Sequence, residues 1–278
     1  MTPEQLTPAL AHHGEGPVWD EVAGCLRWVD LLRGDVLTLR IDGSVDRISV
    51  GAVAAAVRPR AAGGLVVAVE RAFALVDADG AVTGLPELWT DRGIRMNDGG
   101  CDPQGRFYCG SMAYDAAAGR GALHRLDPDG STEVVLSGVT ISNGLAWLAD
   151  GATALYVDSP THRIDRLEFD PAAGRFGDRV PFVTIEPEAG TPDGIALDAE
   201  GGVWVALWEG GAVRRYDATG RLDQIVEIGV RNVTACAFTD ADLVVTTSAV
   251  DDPDNLAAGA LFRIPVGVAG LPTGAFAG

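Results

Sequence analysis

Apolar residues along this chain fall into short runs, each closed by a turn rich in Asp and Gly, and the runs come in pairs. Leu26-Arg27-Trp28-Val29-Asp30 and Val36-Leu37-Thr38-Leu39-Arg40 alternate, or nearly so, across the polar turn Arg33-Gly34-Asp35, which predicts a hairpin. Gly64–Val69 pairs in the same way with Phe73–Val76 ahead of Asp79-Gly80, and Arg106–Cys109 pairs with Leu123–Leu126 ahead of Asp129-Gly130. Further copies run through Ala154–Val157, Gly202–Ala206 and Leu243–Thr246. No segment sustains a helical period over three turns, and there is no low-complexity linker, so the pattern predicts an all-β chain.

The pairs belong to a larger repeat. A polar or glycine-rich opening followed by a strand-like run occurs at Gly14-Glu15-Gly16-Pro17-Val18-Trp19, at Ala55-Ala56-Val57 and at Asn97-Asp98-Gly99-Gly100. It returns at Ser142-Asn143-Gly144-Leu145-Ala146, Pro192-Asp193-Gly194-Ile195-Ala196 and Val233-Thr234-Ala235-Cys236-Ala237. The spacing of about 40 to 50 residues is that of a four-stranded propeller blade. One propeller domain over residues 1–278 is therefore expected. The first strand of each blade lines the central channel, so Glu15, Asn97, Asn143 and Asp193, distant in sequence, would meet there. Two longer connections, Ala113 to Gly121 and Asp251 to Gly259, are expected to form lids or rims over one mouth of that channel.

Composition narrows the chemistry. A formal net charge of −18 argues against nucleic acid or an anionic membrane as a partner. No uninterrupted apolar stretch is long enough to span a bilayer. Met1-Thr2-Pro3-Glu4-Gln5 lacks the basic start and apolar run of a secretion signal, so a cytoplasmic protein is expected. All 21 basic residues are Arg, and without Lys there is no Schiff base, no pyridoxal attachment and no Walker lysine. GxSxG and HExxH are also absent. Cys25, Cys101, Cys109 and Cys236 lack CxxC spacing; with Asp102 opposite Phe107, Cys101 and Cys109 would point to opposite faces, and no disulfide is expected.

Glu15, Asn143 and Asp193 offer two carboxylates and an amide oxygen, a hard-oxygen set suited to one divalent cation such as Ca²⁺, Mg²⁺ or Mn²⁺, with Zn²⁺ or Fe²⁺ as alternatives. Three protein ligands would leave coordination positions for water or substrate, as in a catalytic site. Singly, Asn-Gly and Asp-Gly are ordinary turn dipeptides; their shared place in the repeat is what singles them out. His12-His13 lies near enough to Glu15 to approach such an ion, although a packed histidine is the plainer reading. Trp19, Trp28, Trp147, Trp204 and Trp208 read as blade packing, with Trp208 nearest a rim.

Glu15-Gly16-Pro17-Val18-Trp19, Arg95-Met96-Asn97-Asp98-Gly99, Gly110-Ser111-Met112-Ala113, Ile141-Ser142-Asn143-Gly144-Leu145, Pro192-Asp193-Gly194 and the closing Phe276-Ala277-Gly278 resemble, in order and spacing, the hallmark segments of the SMP-30/gluconolactonase/LRE family. The resemblance implies a six-bladed propeller that hydrolyses a sugar lactone with the help of a metal ion. It implies Glu15, Asn143 and Asp193 as metal ligands, with Asp193 also the catalytic base, and Arg95 and Asn97 as substrate-binding residues. Asp115 matches an acidic substrate contact, although Tyr114-Asp115 here replaces a glutamate-rich pair. Two other readings remain at this point: a metal-dependent esterase or phosphotriesterase on the same scaffold, and a non-enzymatic calcium-binding propeller. No obligate protein partner is implied.

Overall fold

The computed structural model describes residues 1–239 and 242–278, and its strands form six four-stranded antiparallel sheets arranged as the blades of a β-propeller. From the channel outward, blade 1 is Gly14–Asp20, Cys25–Asp30, Asp35–Leu39 and Val45–Ser49, and blade 2 is Ala54–Pro59, Leu65–Val69, Phe73–Val76 and Val82–Gly84. Blade 3 is Ile94–Cys101, Phe107–Ala113, Gly121–Leu126 and Thr132–Val139; blade 4 is Ser142–Trp147, Thr153–Asp158, Arg163–Asp170 and Arg175–Thr184. Blade 5 is Thr191–Leu197, Val203–Trp208, Ala212–Tyr216 and Leu222–Glu227. Blade 6 takes Asn232–Thr239, Asp242–Ser248 and Leu261–Pro265 from one end of the chain and Glu4–Gln5 from the other. No helix among the described residues is long and apolar enough to cross a membrane.

Burial falls from the inside outward, which explains the sequence pattern. The inner strands are buried almost throughout, whereas Val45–Ser49, Val82–Gly84 and Leu222–Glu227 expose most of their residues. A strand covered on both faces reads as a continuous apolar or small-residue run, and one exposed at the rim alternates or turns polar. Between blades, Trp28, Trp204, Tyr108, Tyr156, Phe73 and Phe107 are wholly buried. Each such side chain contributes roughly 1.5–3 kcal/mol by leaving water.

Two features shape the channel. All six inner strands shift register against their neighbours at an equivalent point: between Glu15 and Val18, Ala54 and Ala56, Met96 and Gly99, Ser142 and Leu145, Pro192 and Ile195, and Val233 and Ala235. A bulge of this kind bends the strand and re-aims the side chains within it. Residues 269–278, meanwhile, cross the far mouth. Leu271 N–H donates to Leu197 O on blade 5, Phe276 pairs with Pro59 and Ala61 on blade 2, and Ala277 N–H reaches Gly105 O on blade 3.

All four cysteines are buried free thiols, as expected. Their placement differs from the sequence reading in one respect. Phe107 pairs with Cys101 rather than Asp102, and Cys109 pairs with Gly99, so Cys101 and Cys109 lie diagonally on the same face. The one-residue difference arises because Asp102 leaves the ladder to close its turn, its carboxylate accepting from Gln104 and Arg106 N–H groups.

Candidate functional site

At the mouth opposite that crossing segment, a cavity of about 230 Å³ is lined by His13, Glu15, Arg95, Asn97, Asn143 and Asp193, with Met112, Ile141, Ser159, Thr191 and Trp208 completing its wall. Four repeats thus bring their opening residues together. The bulges explain how, since Asn97, Asn143 and Asp193 lie inside theirs and Glu15 borders its own. The bulges of blades 2 and 6 carry Ala55 and Thr234 instead. Thr234 spends its hydroxyl on Gly14 O at 2.6 Å, so neither blade supplies a free oxygen here.

Glycine after the site residue keeps neighbouring inner strands close. A Cβ on Gly144 would stand 2.8 Å from Asp193 O, and one on Gly194 would stand 2.8 Å from Ala235 Cα. Carboxylates at the ends of second strands then fix the approach to the site. Asp30 accepts from the His12 and His13 N–H groups at 2.9 and 3.0 Å, and Asp158 accepts from Ile141 N–H at 2.9 Å. Ser159 ties two blades together: Asn143 Nδ2 donates to its Oγ at 2.8 Å, and that hydroxyl donates to Pro192 O at 2.8 Å.

A polar chain crosses the floor of the cavity. Arg95 Nη1 donates to Asn97 Oδ1 at 2.8 Å and to Met96 O at 2.9 Å, and Asn97 Nδ2 donates to Asn143 Oδ1 at 3.0 Å. Above it, the Tyr114 ring centroid lies 5.8 Å from the Arg95 guanidinium carbon, and the Tyr114 hydroxyl donates to Glu70 at 2.7 Å. His13 bonds Ser248 through Nδ1 at 2.8 Å, and its ring packs against Trp208 tilted by 57° with the centroids 5.6 Å apart. Burial, reinforced by Arg95, pushes the His13 pKa down to about 3, so the ring is neutral.

The carboxylates are unusual in how little opposes their charge. Burial, then the neighbouring Asp98 carboxylate, pushes Glu15 up to about 8 despite its bond from Gly16 N–H. Asp193 is raised well above the ordinary range by burial and by the charges of Glu15 and Asp98, with Arg95 opposing. Asp98 is itself raised by burial, with Arg58 and the Gly99 N–H opposing. Glu15 and Asp193 share the cavity with Asp98 buried nearby, and among the described residues none of the three makes an ion pair within 4 Å. Such a set fits a divalent cation, which would supply the missing charge. No three His, Cys, Asp or Glu side chains among the described residues group as a metal site; the third donor here is the Asn143 amide oxygen.

Of the residues singled out in the sequence, Glu15, Arg95, Asn97, Asn143 and Asp193 meet in this cavity and Asp115 does not. Asp115 is exposed, and its carboxylate accepts from Ala117 N–H at 3.1 Å within its own turn. Tyr114 stands beside Arg95 instead. Connection 114–120 leaves blade 3 at the site-bearing mouth, and connection 251–259 leaves blade 6 at the same end. Asp98 follows Asn97 in the repeat opening, and a carboxylate next to a channel-facing residue is the one signal the sequence offers for it. Ser159 and Glu70 had none, because each reaches the site through a contact between blades.

The fold and site define a six-bladed propeller with an oxygen-donor cluster at one mouth of its channel. The sequence model of the SMP-30/Gluconolactonase/LRE-like region matches residues 13–249, and the chain belongs to that family. It is 35% identical to regucalcin of Oryctolagus cuniculus over 297 aligned positions, covering 99% of this chain and 98% of the relative. Among solved structures, a luciferin-regenerating enzyme superposes with a TM-score of 0.88 at 28% identity, covering 100% of this chain and 98% of the other. A calcium-binding protein, regucalcin from Agrobacterium tumefaciens, superposes with a TM-score of 0.88 at 27% identity, covering 98% of this chain and 95% of the other.

Proposed function

We propose that this protein is a metal-dependent lactonase that opens a five- or six-membered sugar lactone to the aldonic acid. The observation that carries the reading is the buried, under-neutralised pair Glu15 and Asp193, set beside Asn143 and facing Arg95 and Asn97 across one small cavity. Family membership supports it. Glu15, Asn143 and Asp193 would hold one divalent ion, Ca²⁺, Zn²⁺, Mg²⁺, Mn²⁺ or Fe²⁺. When bound, the ion supplies Lewis acidity toward the lactone carbonyl.

The chain's own groups do the rest. Asp193, which would be among the groups holding the ion, is also the candidate base that would accept the proton of the attacking water. Arg95 has one nitrogen engaged by Asn97 and Met96, which fixes the guanidinium plane and leaves its other donors for ring hydroxyls. Asn97 holds the ring next to Asn143, and Met112, Ile141 and Trp208 restrict water at the walls.

Those apolar walls also favour a second reading, an esterase or phosphotriesterase with a less hydroxylated substrate. A panel of sugar lactones, aryl esters and a phosphotriester, assayed after chelation and readdition of single metals, separates the two. Asp193→Ala and Glu15→Gln are each expected to lower lactone turnover by roughly a hundredfold or more with the β circular dichroism intact. Near wild-type turnover in either variant removes the metal from catalysis. Metal binding without turnover of any substrate leaves a calcium-binding propeller.

A further inference from the structure

The cavity at the site-bearing mouth, the upper cavity, is lined by one ionisable side chain that neither the proposed metal set nor the chain from Arg95 to Asn143 uses: His13. It is held from several sides. Its N–H donates to Asp30 Oδ1 at 3.0 Å, its carbonyl accepts from Leu31 N–H at 2.8 Å, Ser248 Oγ meets Nδ1 at 2.8 Å, and the ring packs against Trp208. The other ring nitrogen, Nε2, has no hydrogen-bond partner among the described residues and is not fully buried. His13 as a whole is half-buried and lines the cavity, so Nε2 is the polar atom it offers to whatever enters.

Ser248 decides what that nitrogen can do. Its hydroxyl oxygen accepts from Val250 N–H at 3.1 Å and has a single proton to give. Two acceptors lie within reach: His12 O at 3.4 Å, which already takes Ala249 N–H at 2.9 Å, and His13 Nδ1 at 2.8 Å. The proton goes to the nearer, uncommitted acceptor, so Nδ1 carries the lone pair of the ring and Nε2 its hydrogen. A nitrogen with a hydrogen on it has no lone pair for a cation, and His13 does not group with Glu15 and Asp193 as a metal site. Nε2 is a donor, and its partner must be an acceptor.

Position narrows the partner. The inner strands touch in chain order around the ring, so blade 6, whose Ser248 holds the imidazole, stands opposite blade 3, which carries Arg95. Arg95 presents donors from one side of the cavity and His13 a donor from the other, with Trp208 as an apolar surface beside it. An uncharged ring with oxygens on opposite edges and C–H groups between them uses all three. Resting on the lactonase reading above, we propose that His13 is a substrate-specificity residue, its Nε2–H donating to a hydroxyl on the edge of the sugar lactone remote from Arg95.

The experiment compares the preferred sugar lactone with the unsubstituted lactone of the same ring size, δ-valerolactone or γ-butyrolactone, on the Mn²⁺-loaded protein. Calorimetric titration with 1,5-anhydroglucitol and 1,4-anhydroxylitol, unreactive rings that keep their hydroxyls, runs beside it. His13→Leu is expected to lower the kcat/KM preference for the sugar lactone about threefold to tenfold, through KM, the worth of one hydrogen bond between uncharged groups, with Mn²⁺ affinity unchanged. His13→Gln, whose amide nitrogen reaches the place of Nε2, should recover most of the loss. An equal loss on the unsubstituted lactone, or no recovery with Gln, makes His13 a packing residue and overturns the proposal. Weaker Mn²⁺ binding in His13→Leu makes it a metal ligand and overturns it as well. If the wild-type protein opens no lactone, the activity proposed above fails by itself and the anhydroalditols still decide about His13. Binding weakened by His13→Leu and restored by His13→Gln sustains the hydroxyl contact; equal binding, or none, overturns it.

Discussion

Burial and the Asp98 charge push Glu15 up to about 8, and burial with the charges of Glu15 and Asp98 raises Asp193 well above the ordinary carboxylate range. A carboxyl whose pKa is raised in the folded state stabilises the fold fully below its unfolded value and loses that contribution as pH rises through the folded value. For Glu15 the window runs from about 4.5 to about 8. His13 acts in the other direction: lowered from 6.5 to about 3, it destabilises the fold progressively as pH falls below 6.5. The chelated protein is therefore expected to melt at higher temperature at pH 6.5 than at pH 8, with the gain levelling off at lower pH. Saturating Mn²⁺ should flatten the slope by neutralising the carboxylates, and Glu15→Gln should reduce it without metal. A thermal-shift series over this range tests this; a melting temperature that rises toward pH 8 without metal contradicts it. Tyr114 offers a second test at this scale. Its ring covers Arg95 and its hydroxyl is held by Glu70, so it is a positioning residue for the guanidinium. Tyr114→Leu is expected to raise KM for the preferred lactone about threefold to tenfold, the worth of a cation–π contact, with metal affinity unchanged. Tyr114→Phe, which keeps the ring, should recover most of the loss.

At the scale of strands, the bulge is the element that makes the site. It carries Asn97, Asn143 and Asp193 out of the alternation a regular ladder would impose. This is where legibility in the sequence divides. The repeat spacing and the oxygen side chains at its openings were readable because both are local: one is a period, the other a residue type at a fixed offset. The bulges were not, because a register shift is a relation between two strands, and the same cause misplaced Phe107 opposite Asp102 instead of Cys101. Asp115 was matched to a substrate contact by position alone, and its turn, closed through Ala117, directs the carboxylate to its own backbone. Ser159 was invisible for a third reason. It is an unremarkable residue until blade 5 packs beside blade 4 and its hydroxyl joins Asn143 to Pro192. Ser159→Ala is expected to weaken Mn²⁺ binding by roughly 10–100-fold, as loss of an orienting partner does, with little change in melting temperature of the metal-free protein. Unchanged metal affinity by calorimetry would show that Asn143 needs no brace.

For the molecule as a whole, the decisive contacts are those that make the row of blades a ring. Glu4–Gln5 completes blade 6 by pairing with Leu261–Pro265, and residues 269–278 join blade 5 to blades 2 and 3 across the far mouth. In an open array of repeats, a terminal unit can peel away at the cost of a single interface, and unravelling then propagates inward. A closed hoop has no terminal unit. Losing any blade here breaks two interfaces and opens the channel, so every blade is as hard to remove as the hardest. Unfolding in denaturant is therefore expected to be one steep transition, with tryptophan fluorescence and circular dichroism coincident. Deleting residues 1–5 should cut the hoop at its seam and spread that transition into two, blade 6 leaving first. The seam also guards the chemistry. Blade 6 contributes no oxygen donor to the upper cavity, yet Ser248 from its second strand holds His13 beside Trp208, and Thr234 holds the carbonyl next to Glu15. Fraying that starts at an outermost strand remote from the site would thus reach Glu15, a proposed metal ligand, before it reached the centre of any other blade, and a loss of metal affinity is the expected earliest sign that the ring has begun to open.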